Sequence, residues 1–582
     1  MKTLIIRIPV RPQPTMYPPF GSMAVLQALR QKNYEFEYYD LDVHRDTKLQ
    51  IQKRVLETKA PIIGISAVVS SGYKRTKELI MMIKEVAPET IIIVGGSLAW
   101  NSKVLIEKSQ VDYCVIGEGL VTAQELIGSI IKNKGIVPDE EAREIKGIAF
   151  KSEEGKVEFT CFRPQINLMD QEIDDFSLVD EKFFFIDPLV QVRDSGWLRF
   201  KEDPRSHEPH RLEKKLLVMV TSKGCVARCT FCHRMEKGIR LKTMDRIVEE
   251  IKVAIDKYNV GFVFFGDEDF GASKKWVMEF CEAIKPFDIL FAIQGMRVNH
   301  ATPENLKALY ETGCVSIFYG TESGSQKMLE VIEKKTKVEQ NVNVCLWTAD
   351  AGIWASSYQL VIGMPGETNE TIKETIEFLL KVTENIKKRE DIAISSKYIL
   401  ILPSTPVYEY AIRKGFIGKT LEDEENYLLS ISDYDPDVYN EGFINLTNCD
   451  FYTVCNWNTM IEWEPYIHYD KKHGLSRGLF STIVTMLTPG GLKRLKSEKN
   501  VYLYKVAMGP LNLIFNISKD LKHGASLVAV FSHTFEWFKA KIMSANKKMK
   551  FSEYVSLRKN TAMEVDPGIN EHSSLTELRL GR

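Results

Sequence analysis

Three cysteines and a histidine stand close together in the segment KGCVARCTFCHR, residues 223–234. Cys225, Cys229 and Cys232 fall within eight residues, and His233 follows the third cysteine directly. Cysteine thiolates bind soft metals, so this spacing is compatible with three kinds of site. The segment could hold zinc with His233 as the fourth ligand, attach a haem through CTFCH, or carry an iron–sulfur cluster with one iron left open.

Zinc and haem explain the segment less well than a cluster does. Structural zinc sites usually draw their ligands from two spaced pairs, and no second pair stands nearby in the sequence. The CxxCH haem attachment normally belongs to exported proteins, and the start MKTLIIRIPVRPQP is not typical of a signal peptide. A four-iron cluster normally takes four cysteines. With three, one iron has no protein ligand and can bind a small molecule, as an open catalytic metal does.

Residues 211–415 alternate strand-like and helix-like segments, and this alternation predicts where the cysteines lie. The strand-like segments are LLVMVTS, GFVFFGD, ILFAIQG, VSIFYGTES, YQLVIGMPG and YILILPS. About six strand–helix units predict a full or partial (β/α) barrel of the TIM type. Barrel chemistry lies on the loops that follow the strands, and KGCVARCTFCHR follows the first one.

A CxxxCxxC triplet after the first barrel strand, with Phe231 before the third cysteine, resembles the radical S-adenosylmethionine (SAM) superfamily. The resemblance implies a 4Fe–4S cluster on Cys225, Cys229 and Cys232, with the amino and carboxylate groups of SAM on the open iron. Electron transfer from the cluster would cleave SAM into methionine and a 5′-deoxyadenosyl radical. An external reductant such as flavodoxin or ferredoxin would supply the electron.

Further loops along the predicted barrel match the superfamily in the expected order. GDEDFG (266–271), GTESGS (320–325) and VIGMPGET (361–368) follow the second, fourth and fifth strands, and PSTPVYEYAIRKG (403–415) resembles the usual exit from the core. Arg297, after the third strand, could pair with a ligand carboxylate or form a structural ion pair. The SAM contacts that the resemblance implies are Asp267, Asp269, Glu322, Gly363, Pro365 and Gly366.

Residues 1–140 have the same alternation, with glycines just past the strand ends, which predicts a doubly wound (Rossmann-like) α/β domain. Such a domain ahead of a radical SAM barrel resembles the cobalamin-binding subfamily. The matching segments are YPPFGSMAVLQALR, ISAVVSS, VGGSLA and VIGEGLVTAQEL. The resemblance implies that cobalamin lies on the strand carboxyl ends and faces the barrel mouth. Its implied contacts are Ser66, Ser70, Gly95, Gly96, Gly117 and Glu118.

One cobalamin motif of related domains is missing from this sequence. Methionine-synthase-type domains carry DxHxxG after the first strand, with the histidine on cobalt. Here the nearest string, Asp42 to Thr47, follows the second predicted strand and has no glycine. We interpret His44 as an ordinary surface histidine. The subfamily is expected to bind cobalamin without a histidine ligand, so the missing motif does not weigh against binding.

The chain is predicted to have four parts, of which the last is the least regular. They are a cobalamin-binding domain (1–140), a connecting segment (141–210), a radical SAM core (211–415) and a mixed, mainly helical accessory region (416–582). Residues 421–470 contain twelve Asp or Glu and no Lys or Arg, whereas residues 471–550 contain fifteen Lys or Arg and three acids. The basic stretch is predicted either to contact anionic membrane surfaces or to pack on the acidic segment.

The overall composition favours a globular protein of the cytoplasm. The net charge of −1 gives no case for nucleic-acid binding, and 44% hydrophobic residues exclude a disordered chain. Ten cysteines in 582 residues form no disulfide framework, which is typical of a reducing compartment. Charge-free stretches such as 478–492 are shorter than the ~20 residues that span a bilayer. The expected location is cytoplasmic, with peripheral membrane contact through 471–550 as an open alternative.

The resemblance also implies a reaction, namely methylation of an unactivated carbon. One SAM would methylate cobalamin, and a second would give the radical that activates a small-molecule, lipid or lipid-linked substrate. Ring formation or rearrangement is the main alternative, because relatives with the same domains catalyse such reactions. A tRNA methylthiotransferase is disfavoured, because residues 1–210 hold only Cys114 and Cys161 instead of three cysteines for a second cluster. The intact loops disfavour a cobalamin-binding sensor with a degenerate barrel.

Overall fold

The amino-terminal part of the molecule is a seven-stranded sheet, seen in a computed structural model of the chain. Its strands are β1 (Thr3–Arg7), β2 (Phe36–Asp40), β3 (Ile62–Ser66), β4 (Ile91–Gly95), β5 (Tyr113–Val115), β6 (Ile148–Lys151) and β7 (Val157–Phe159). They lie in the order β2-β1-β3-β4-β5-β6-β7, and the first five are parallel. The doubly wound sheet predicted from the sequence is confirmed. The described residues are 1–10, 14–189, 195–233, 238–271, 273–356, 358–384, 386, 392, 394–432, 443–449 and 451–473.

Helices cover both faces of this sheet. They are α1 (Phe20–Gln31), α2 (Leu41–His44), α3 (Lys48–Thr58), α4 (Tyr73–Val86), α5 (Ser102–Ser109), α6 (Gly119–Asn133) and α7 (Asp139–Glu144). All five residues of β1 are buried, which is typical of a parallel strand that is covered on both faces. Ile5 packs with residues of α1 and α6, whereas Leu4 and Ile6 pack with residues of α3, α4 and α5. The continuous apolar runs of the sequence thus supply two separate cores.

An antiparallel hairpin extends the sheet at one edge. β6 pairs with β5 and with β7, and both pairings are antiparallel. The segment EEGKVEFTCF (153–162) contains β7, so it belongs to the first sheet. The sheet runs to Phe159, past residue 140, where the sequence predicts the end of the first domain. Antiparallel strands need only a short turn between them, so the strand–helix alternation used to place that boundary does not extend over this hairpin.

The connecting segment runs back along the first domain before it enters the barrel. The Gln27 amide on α1 donates to the Ile173 carbonyl over 2.7 Å, and Arg30 on the same helix binds Glu172. Farther along, Ile186 and Leu216 exchange two backbone hydrogen bonds, at 3.2 and 2.8 Å. A short helix, α8 (Ser195–Glu202), then leads to the first barrel strand. This segment therefore has contacts with both domains.

The second domain contains seven parallel strands, five in one sheet and two in another, together with a short hairpin. Its strands are β8 (Lys215–Met219), β9 (Ser222–Cys225), β10 (Gly238–Leu241), β11 (Val260–Phe265), β12 (Leu290–Met296), β13 (Cys314–Tyr319), β14 (Trp354–Ser356), β15 (Tyr358–Ile362) and β16 (Ile394–Tyr398). β9 and β10 form a separate hairpin, and the main order is β8-β11-β12-β13-β14, with β15 beside β16. A parallel bridge from Glu322 to Leu360 joins β15 to the chain that follows β13. Within the described residues no pairing joins β8 to β16, so the barrel is partial.

Five of the seven helices described in the barrel begin with a side-chain cap. The seven helices are α9 (Met244–Tyr258), α10 (Lys274–Ile284), α11 (Pro303–Thr312), α12 (Gln326–Val331), α13 (Val338–Asp350), α14 (Asn369–Thr383) and α15 (Pro406–Arg413). The capped ones are α9, α10, α11, α14 and α15. Thr243, Ser273 and Thr302 each accept a hydrogen bond from a backbone N–H in the first turn. Thr368 does the same for α14 and is also the last residue of VIGMPGET. These caps fix the residues at which the strand-end loops end and the helices begin.

The barrel strands direct alternate residues to its two faces. Leu217 and Val263 pack with the surrounding helices, whereas Val218 and Phe264 belong to the inner core. This inner face is covered by residues from elsewhere in the chain. They are Met16, Tyr17 and Phe20 of the first domain, together with Phe200 of α8.

The described part of the accessory region consists of two helices, which pack on different domains. α16 (Leu421–Ser432) lies on the first domain, where the Glu425 carboxylate accepts from Tyr73 over 2.7 Å and pairs with Lys77. Glu422 pairs with Lys108 of α5 over 2.6 Å. α17 (Phe451–Lys472) packs instead on α14 and β16. The accessory region therefore begins by joining the two domains.

These contacts provide binding partners for part of the acidic segment of the accessory region. The two glutamates of the acidic segment named above bind lysines of the first domain. The predicted basic surface, residues 471–550, lies almost entirely outside the described residues, which stop at 473. Among the helices that the structure describes, none is long and apolar enough to cross a membrane.

Candidate active site between the sheet and the barrel

The three cysteines lie on one loop that begins at the end of a short hairpin. Cys225 is the last residue of β9, Cys229 is buried and Cys232 is exposed. The Cys232 amide donates to the Cys229 carbonyl over 3.2 Å, so the second half of the loop is a turn. The hairpin is an addition to the prediction, which had the loop follow the first barrel strand directly.

Backbone hydrogen bonds hold the cysteine loop between two other segments of the barrel. The Thr230 amide donates to the Ile332 carbonyl, and the Val407 amide donates to the Thr230 carbonyl, each over 3.1 Å. Phe231 packs in the same apolar cluster as Ile332 and Val407. Val407 belongs to PSTPVYEYAIRKG, which explains why that segment accompanies the cysteine triplet in the sequence. The aromatic residue before the third cysteine thus anchors the loop.

The geometry around the loop is not that of a single metal ion. Across the described residues, no three His, Cys, Asp or Glu side chains converge closely enough to hold one ion. Thiolates on different irons of a cluster lie farther apart than ligands of one ion, so this result concerns a zinc-type site. His233 packs edge-on against Trp100 of the first domain, with 6.3 Å between ring centroids. Burial lowers the pKa of His233 to about 4.

Asp267, one of the predicted SAM contacts, supports the base of the hairpin. Its Oδ1 accepts hydrogen bonds from the Thr221 amide at 2.8 Å, the Thr221 hydroxyl at 3.0 Å and the Ser222 hydroxyl at 2.6 Å. The side chain is 3% exposed, and burial raises the pKa of this carboxyl, although those hydrogen bonds oppose the rise. Asp267 therefore connects the end of β11 to the strand that carries Cys225.

Asp269, the second acid of this loop, lies directly beside the first cysteine. Its Oδ2 is 3.5 Å from the Cys225 sulfur, and its Oδ1 is 3.5 Å from His300 Nδ1. Within the described part of the chain, neither this Oδ1 nor His300 Nδ1 has a hydrogen-bond partner. Burial raises the pKa of Asp269 to about 6, while the nearby Arg297 guanidinium opposes the rise. Two buried polar atoms are thus available for a ligand next to Cys225.

Arg297 lies in the same region and contacts the backbone of another loop. Its Nη2 donates to the Lys334 carbonyl over 3.1 Å, and its side chain is almost fully buried. The structure records no carboxylate within ion-pair distance of it among the described residues. Arg297 was predicted either to pair with a ligand carboxylate or to form a structural ion pair. The described residues contain no such structural ion pair.

Glu322, the predicted glutamate of GTESGS, forms an ion pair with a lysine that the sequence analysis did not identify. Lys334 Nζ lies 2.8 Å from Glu322 Oε1, and the two side chains are 10% and 12% exposed. Burial disfavours the charged lysine, yet the Glu322 carboxylate and then Cys229 raise the pKa of Lys334 above its ordinary value. A charged pair near Cys229 matches the two charges of an amino acid, because each group can bind the opposite one.

The VIGMPGET loop is organised around a buried acid of its own. The Gly363 amide donates to Glu367 Oε2 over 2.5 Å, and Glu367 is 1% exposed. Burial raises the pKa of Glu367 to about 8, and the backbone N–H groups of Gly363 and Met364 only partly oppose this. Pro365 is buried, whereas Gly366 is half-buried at the turn. The carboxyl group therefore fixes the loop from within.

The predicted cobalamin contacts lie along the carboxyl edge of the first sheet. Ser66 and Gly95 end β3 and β4 and are direct neighbours in the ladder. Gly96 has φ +91°, and a Cβ there would lie 2.4 Å from the Ala67 carbonyl oxygen, so no other residue fits. Ser70 is 3% exposed in the short turn after β3. The edge is therefore compact at β3 and β4.

The edge is more open beside β5, where Gly117 and Glu118 lie. A Cβ at Gly117 would meet no atom within 4 Å. Val68, after β3, is 47% exposed, and Val226, in the cysteine loop, is 49% exposed. Exposed apolar side chains thus occur on both the sheet edge and the cysteine loop. Glu118, in contrast, is bound by Arg240 and Lys223 of the β9–β10 hairpin.

Asp42, which begins the incomplete cobalamin motif, holds the loop that follows β1. Its carboxylate accepts from the Thr15 amide at 2.9 Å and from the Thr15 hydroxyl at 2.6 Å. Arg7, 3.5 Å from the same carboxylate, also donates to the Tyr17 carbonyl over 3.1 Å. His44 is partly exposed and pairs with Asp180 at 2.7 Å. The motif therefore fixes a loop, and its histidine is a surface residue, as interpreted from the sequence.

Three loops at the carboxyl edge of the sheet contact the barrel. The loop after β1 places the Tyr17 hydroxyl 2.9 Å from Gln294 Oε1 on β12. The loop after β4 places Trp100 against His233, as described above. The loop after β5 places Glu118 2.8 Å from Arg240 Nη2. Because these loops follow parallel strands, the carboxyl edge of the sheet faces the loop end of the barrel.

Comparison with protein-family models agrees with this arrangement. Residues 7–127 match the B12 binding domain, and residues 219–379 match the radical SAM superfamily. The chain therefore contains a B12-binding domain followed by a radical SAM domain. Each match covers one of the two facing domains, so the cysteine loop and the sheet edge belong to different cofactor-binding units.

Relatives of this radical SAM enzyme catalyse different reactions. The anaerobic magnesium-protoporphyrin IX monomethyl ester cyclase of Rubrivivax gelatinosus is 26% identical over 334 residues, which is 56% of this chain and 55% of the relative. The chain thus spans about half the length of that relative. The cytidylyl-2-hydroxyethylphosphonate methyltransferase of Streptomyces wedmorensis is 23% identical over 413 residues, covering 68% of this chain and 73% of the relative.

Solved structures share the fold at low sequence identity. The cobalamin-dependent SAM radical enzyme OxsB, with aqua-cobalamin and SAM bound, has a TM-score of 0.59 and 18% identity over 92% of this chain and 83% of that chain. The radical SAM methyltransferase TsrM from Kitasatospora setae, with cobalamin and a [4Fe–4S] cluster bound, has a TM-score of 0.53 and 18% identity. It covers 71% of this chain and 75% of that chain. The order of sheet, barrel and accessory region is therefore a known architecture.

The radical SAM domain implies a 4Fe–4S cluster and SAM, and the B12-binding domain implies cobalamin. The residues of the chain fit these groups. Cys225, Cys229 and Cys232 share one loop, and beside it lie Asp269 Oδ1 and His300 Nδ1, which are 3.5 Å apart and have no hydrogen bond within the described residues. Those atoms suit the amino group of SAM, while the open sheet edge suits a corrin ring.

Three residues of this site were missed from the sequence. His300 and Lys334 stand in loops that lack a recognised motif, and Tyr17 stands in the first domain, 277 residues from its partner Gln294. For Tyr17 there was a signal, since YPPF opens one of the segments that resemble the cobalamin-binding subfamily. The other two depend on contacts between loops, and single-sequence patterns do not encode these.

Proposed function

We propose that this cobalamin-dependent radical SAM enzyme transfers a methyl group to an unactivated carbon of a small molecule. The observation that carries the proposal is the contact of the sheet's carboxyl-edge loops with the loop end of the barrel. Tyr17, Trp100 and Glu118 each contact the barrel from a different loop of that edge. A chamber bounded by both domains suits a substrate that must meet two cofactors in turn.

We further propose that the substrate lies on the inward face of the barrel, beneath Tyr17. The Tyr17 ring packs edge-on against Phe264 at 6.2 Å, and Phe264 packs against Phe318 at 6.0 Å. Gln294 is the polar residue of β12 that follows Leu290 and Ala292 on this face. Its amide can donate to an oxygen of the substrate, while the aromatic rings bind an apolar part. A mainly apolar molecule with one or two oxygen functions fits this wall.

The residues of the chain have separate roles in this proposal. The three cysteines would hold the cluster, and Asp269 with the Glu322–Lys334 pair would orient the amino-acid part of SAM. Gly363, Pro365 and Gly366 would contact its adenine. When bound, the cluster supplies the electron that splits SAM, and cobalamin carries the methyl group. The Tyr17 loop closes the barrel face and excludes water.

Ring formation is the second candidate function, and the relatives favour it specifically. The first relative named above is a cyclase, and its 334 matched residues carry the higher of the two identities. The same chamber would then bind a larger, flat substrate. The two functions differ in one measurable respect, because ring formation consumes no methyl group.

The test uses the full chain, purified without oxygen and reconstituted with iron, sulfide and hydroxocobalamin. After addition of dithionite and SAM with a deuterated methyl group, mass spectrometry measures 5′-deoxyadenosine and the label on the corrin. Cleavage of SAM with label on the corrin is the expected result. Cleavage without label favours ring formation. Zinc in place of iron, with no cleavage, contradicts the proposal.

The lipid character of the substrate is a separate proposal, based on the lysine-rich stretch 471–550. Glu422 and Glu425 of the acidic segment pair with Lys108 and Lys77 of the first domain. We expect the full chain to float with vesicles of anionic phospholipid at low salt and to dissociate at high salt. No binding at low salt would remove the argument for a lipid substrate and for peripheral membrane contact.

A further inference from the structure

The carboxylate of Glu118 connects the first domain to the hairpin that carries the first cluster cysteine. Glu118 follows β5 and stands at the amino-terminal end of α6. Its Oε1 lies 2.8 Å from Arg240 Nη2 and 3.4 Å from Lys223 Nζ, and its Oε2 accepts from Arg240 Nη1 at 3.1 Å. Arg240 therefore holds both carboxylate oxygens, which is the most directional form of ion pair.

The two cations occupy one rung of the hairpin. Lys223 on β9 is the cross-strand partner of Arg240 on β10. Cys225 follows two residues later on β9, opposite Gly238. Only one residue separates Lys223 from Cys225 on β9. A displacement of Glu118, which binds Lys223, would therefore be transmitted to the strand that ends in Cys225.

The ion pair is shielded from solvent and has a third participant. Glu118 and Arg240 are 12% and 17% exposed, so salt screens their attraction less than that of a surface pair. Ile166 of the connecting segment donates its amide to Glu118 Oε2 over 3.1 Å and accepts from Arg240 through its carbonyl. Burial tends to raise the pKa of Glu118, but Arg240 and Lys223 lower it below its ordinary value. Both carboxylate oxygens are thus occupied by protein donors, which leaves little capacity for a cobalamin contact.

The hairpin does not depend on Glu118 for its attachment to the barrel. Its base is held by Asp267, which accepts three hydrogen bonds from Thr221 and Ser222. Lys242, beyond β10, also donates its amide to the Thr221 carbonyl over 2.9 Å. Loss of the Glu118 ion pair should therefore leave the hairpin folded on the barrel and free only its contact with the first domain.

We propose that Glu118, Lys223 and Arg240 are positioning residues that fix the cluster hairpin against the cobalamin-binding domain. The inference rests on the proposed function, because it assigns these residues to the alignment of the two cofactors. Each cofactor would still bind in its own domain without the ion pair. Reactions that need the two domains correctly aligned would fail, since a misplacement of about 1 Å is enough to lower the reaction rate about 10²-fold.

The first readout needs no cofactor. Hydrogen–deuterium exchange on the apo protein measures the amides of β9, β10 and Ile166 in the wild type, Arg240→Met and Lys223→Met. Faster exchange at Ile166 and at the Lys223–Arg240 rung is expected, with the Asp267-anchored base unchanged. The combined change Glu118→Lys with Arg240→Glu restores an ion pair of reversed sign and should restore protection at the Lys223–Arg240 rung, whereas Ile166 should still exchange fast, because a lysine cannot accept its amide hydrogen. Unchanged exchange at Ile166 and at the rung in Arg240→Met would overturn the proposal.

The second readout uses the reconstituted full chain. In Arg240→Met, iron content, cobalamin affinity and SAM cleavage should stay at the wild-type level. Transfer of the labelled methyl group to the corrin should fall by at least about tenfold, and the magnetic coupling between reduced cluster and cob(II)alamin should weaken. Lys132→Met is the matched control, because it removes the exposed ion pair with Glu141 in the same domain. It should leave every readout unchanged.

The outcomes separate this proposal from the proposed function. If Arg240→Met loses iron or SAM cleavage in parallel with methyl transfer, the ion pair is a folding element and the positioning role is wrong. If the wild type transfers no methyl group, the proposed function fails, while magnetic coupling and amide exchange still test the alignment. Wild-type methyl transfer in Arg240→Met would contradict the inference alone.

Discussion

Three buried acids of the site differ in what surrounds them, and this decides their charge. Asp269 faces Arg297, yet burial still raises its pKa to about 6. Glu367 receives only backbone N–H groups, and burial raises its pKa to about 8. Glu118 is the opposite case, because burial is outweighed by Arg240 and Lys223, which lower its pKa. At neutral pH, therefore, Glu367 is mainly protonated, whereas Glu118 carries the charge that binds the hairpin.

Replacement of the central cysteine tests the cluster at the scale of one residue. Cys229→Ala should abolish both iron binding and SAM cleavage, because only two thiolates remain on the loop. Iron and sulfide analysis, the visible spectrum and the 5′-deoxyadenosine assay measure the result. Cys161→Ala is the control, since it removes an exposed thiol of the first domain. Retention of cluster and cleavage in Cys229→Ala would mean that the triplet is not the cluster site.

Glu367 makes the stability of the barrel depend on pH. Its pKa is about 8 in the folded protein and 4.5 ordinarily, so the folded state binds more protons between these values. The stability that this group contributes is fully present below pH 4.5 and is lost as the pH rises toward 8. The expected slope from this group is about 1.4 kcal/mol per pH unit. Glu367→Gln should flatten this part of the pH profile.

The measurement is thermal unfolding of the apo protein at several pH values between 5 and 8. The difference in melting temperature between wild type and Glu367→Gln should change steadily across this window. Glu370→Gln, in the first turn of the helix that follows, is the control, because Glu370 is exposed and its pKa is lowered, first by its own backbone N–H. A pH-independent difference for Glu367→Gln would contradict the raised pKa.

At the scale of elements, the loops at the strand ends depend on close approach between backbones. Gly295 on β12 has φ +78°, and a Cβ there would lie 2.4 Å from the Asp267 carbonyl oxygen and 2.9 Å from that of Glu268. The GDEDFG loop is thus packed directly on β12. Because the Asp267 side chain anchors the cysteine hairpin, this contact supports the cluster loop indirectly, through that hairpin.

Gly295→Ala should therefore damage both the barrel and the cluster site. The left-handed backbone alone costs about 1–2 kcal/mol, and the backbone clash should bring the loss of unfolding free energy above about 3 kcal/mol. Gly155→Ala is a matched control, because Gly155 has φ +79° with no atom within 4 Å of its Cβ position. Denaturant unfolding and iron content measure the two effects. Equal losses of unfolding free energy in both variants would show that the close approach at Gly295 does not contribute to stability.

At the scale of the whole molecule, the chain returns to its first domain after completing the barrel. α16 places Glu425 on Tyr73 and Lys77 of α4, and Leu428 enters the core that contains Leu4 and Ile6. The sheet is therefore held from two directions, by the hairpin at its carboxyl edge and by α16 on one face. This double attachment keeps the cobalamin-binding domain opposite the barrel mouth.

Leu428→Ala tests this attachment. Leu428 is fully buried, so its truncation should lower the free energy of unfolding by about 2–5 kcal/mol. Amide exchange should accelerate in α4 and α5 but not in the barrel helices α9 and α10. Asn426→Ala on the same helix is the control, because Asn426 is exposed. An equal effect of both variants on exchange in α4 would contradict the role of α16.

Much of the architecture could be predicted, because its signals are local. Strand–helix alternation predicted both domains; the cysteine triplet predicted the radical SAM match, and the glycine-rich segments of the first domain predicted the B12-binding match. The domain boundaries, the role of Gly117 and the ligand set of the cluster stay predictions. The antiparallel extension to Phe159 and the hairpin ending in Cys225 were outside that pattern, since strands of three or four residues lack periodicity.

The sequence by itself indicated the cofactors through a family resemblance, because the motifs that carry this resemblance are properties of short segments. Only the tertiary structure decided how the two cofactor domains meet. Tyr17 and Gln294 are 277 residues apart, Glu118 and Arg240 are 122 apart, and Tyr73 and Glu425 are 352 apart. No local pattern encodes such pairs, because each residue is an ordinary polar side chain until folding buries it beside its partner and the burial makes the contact strong.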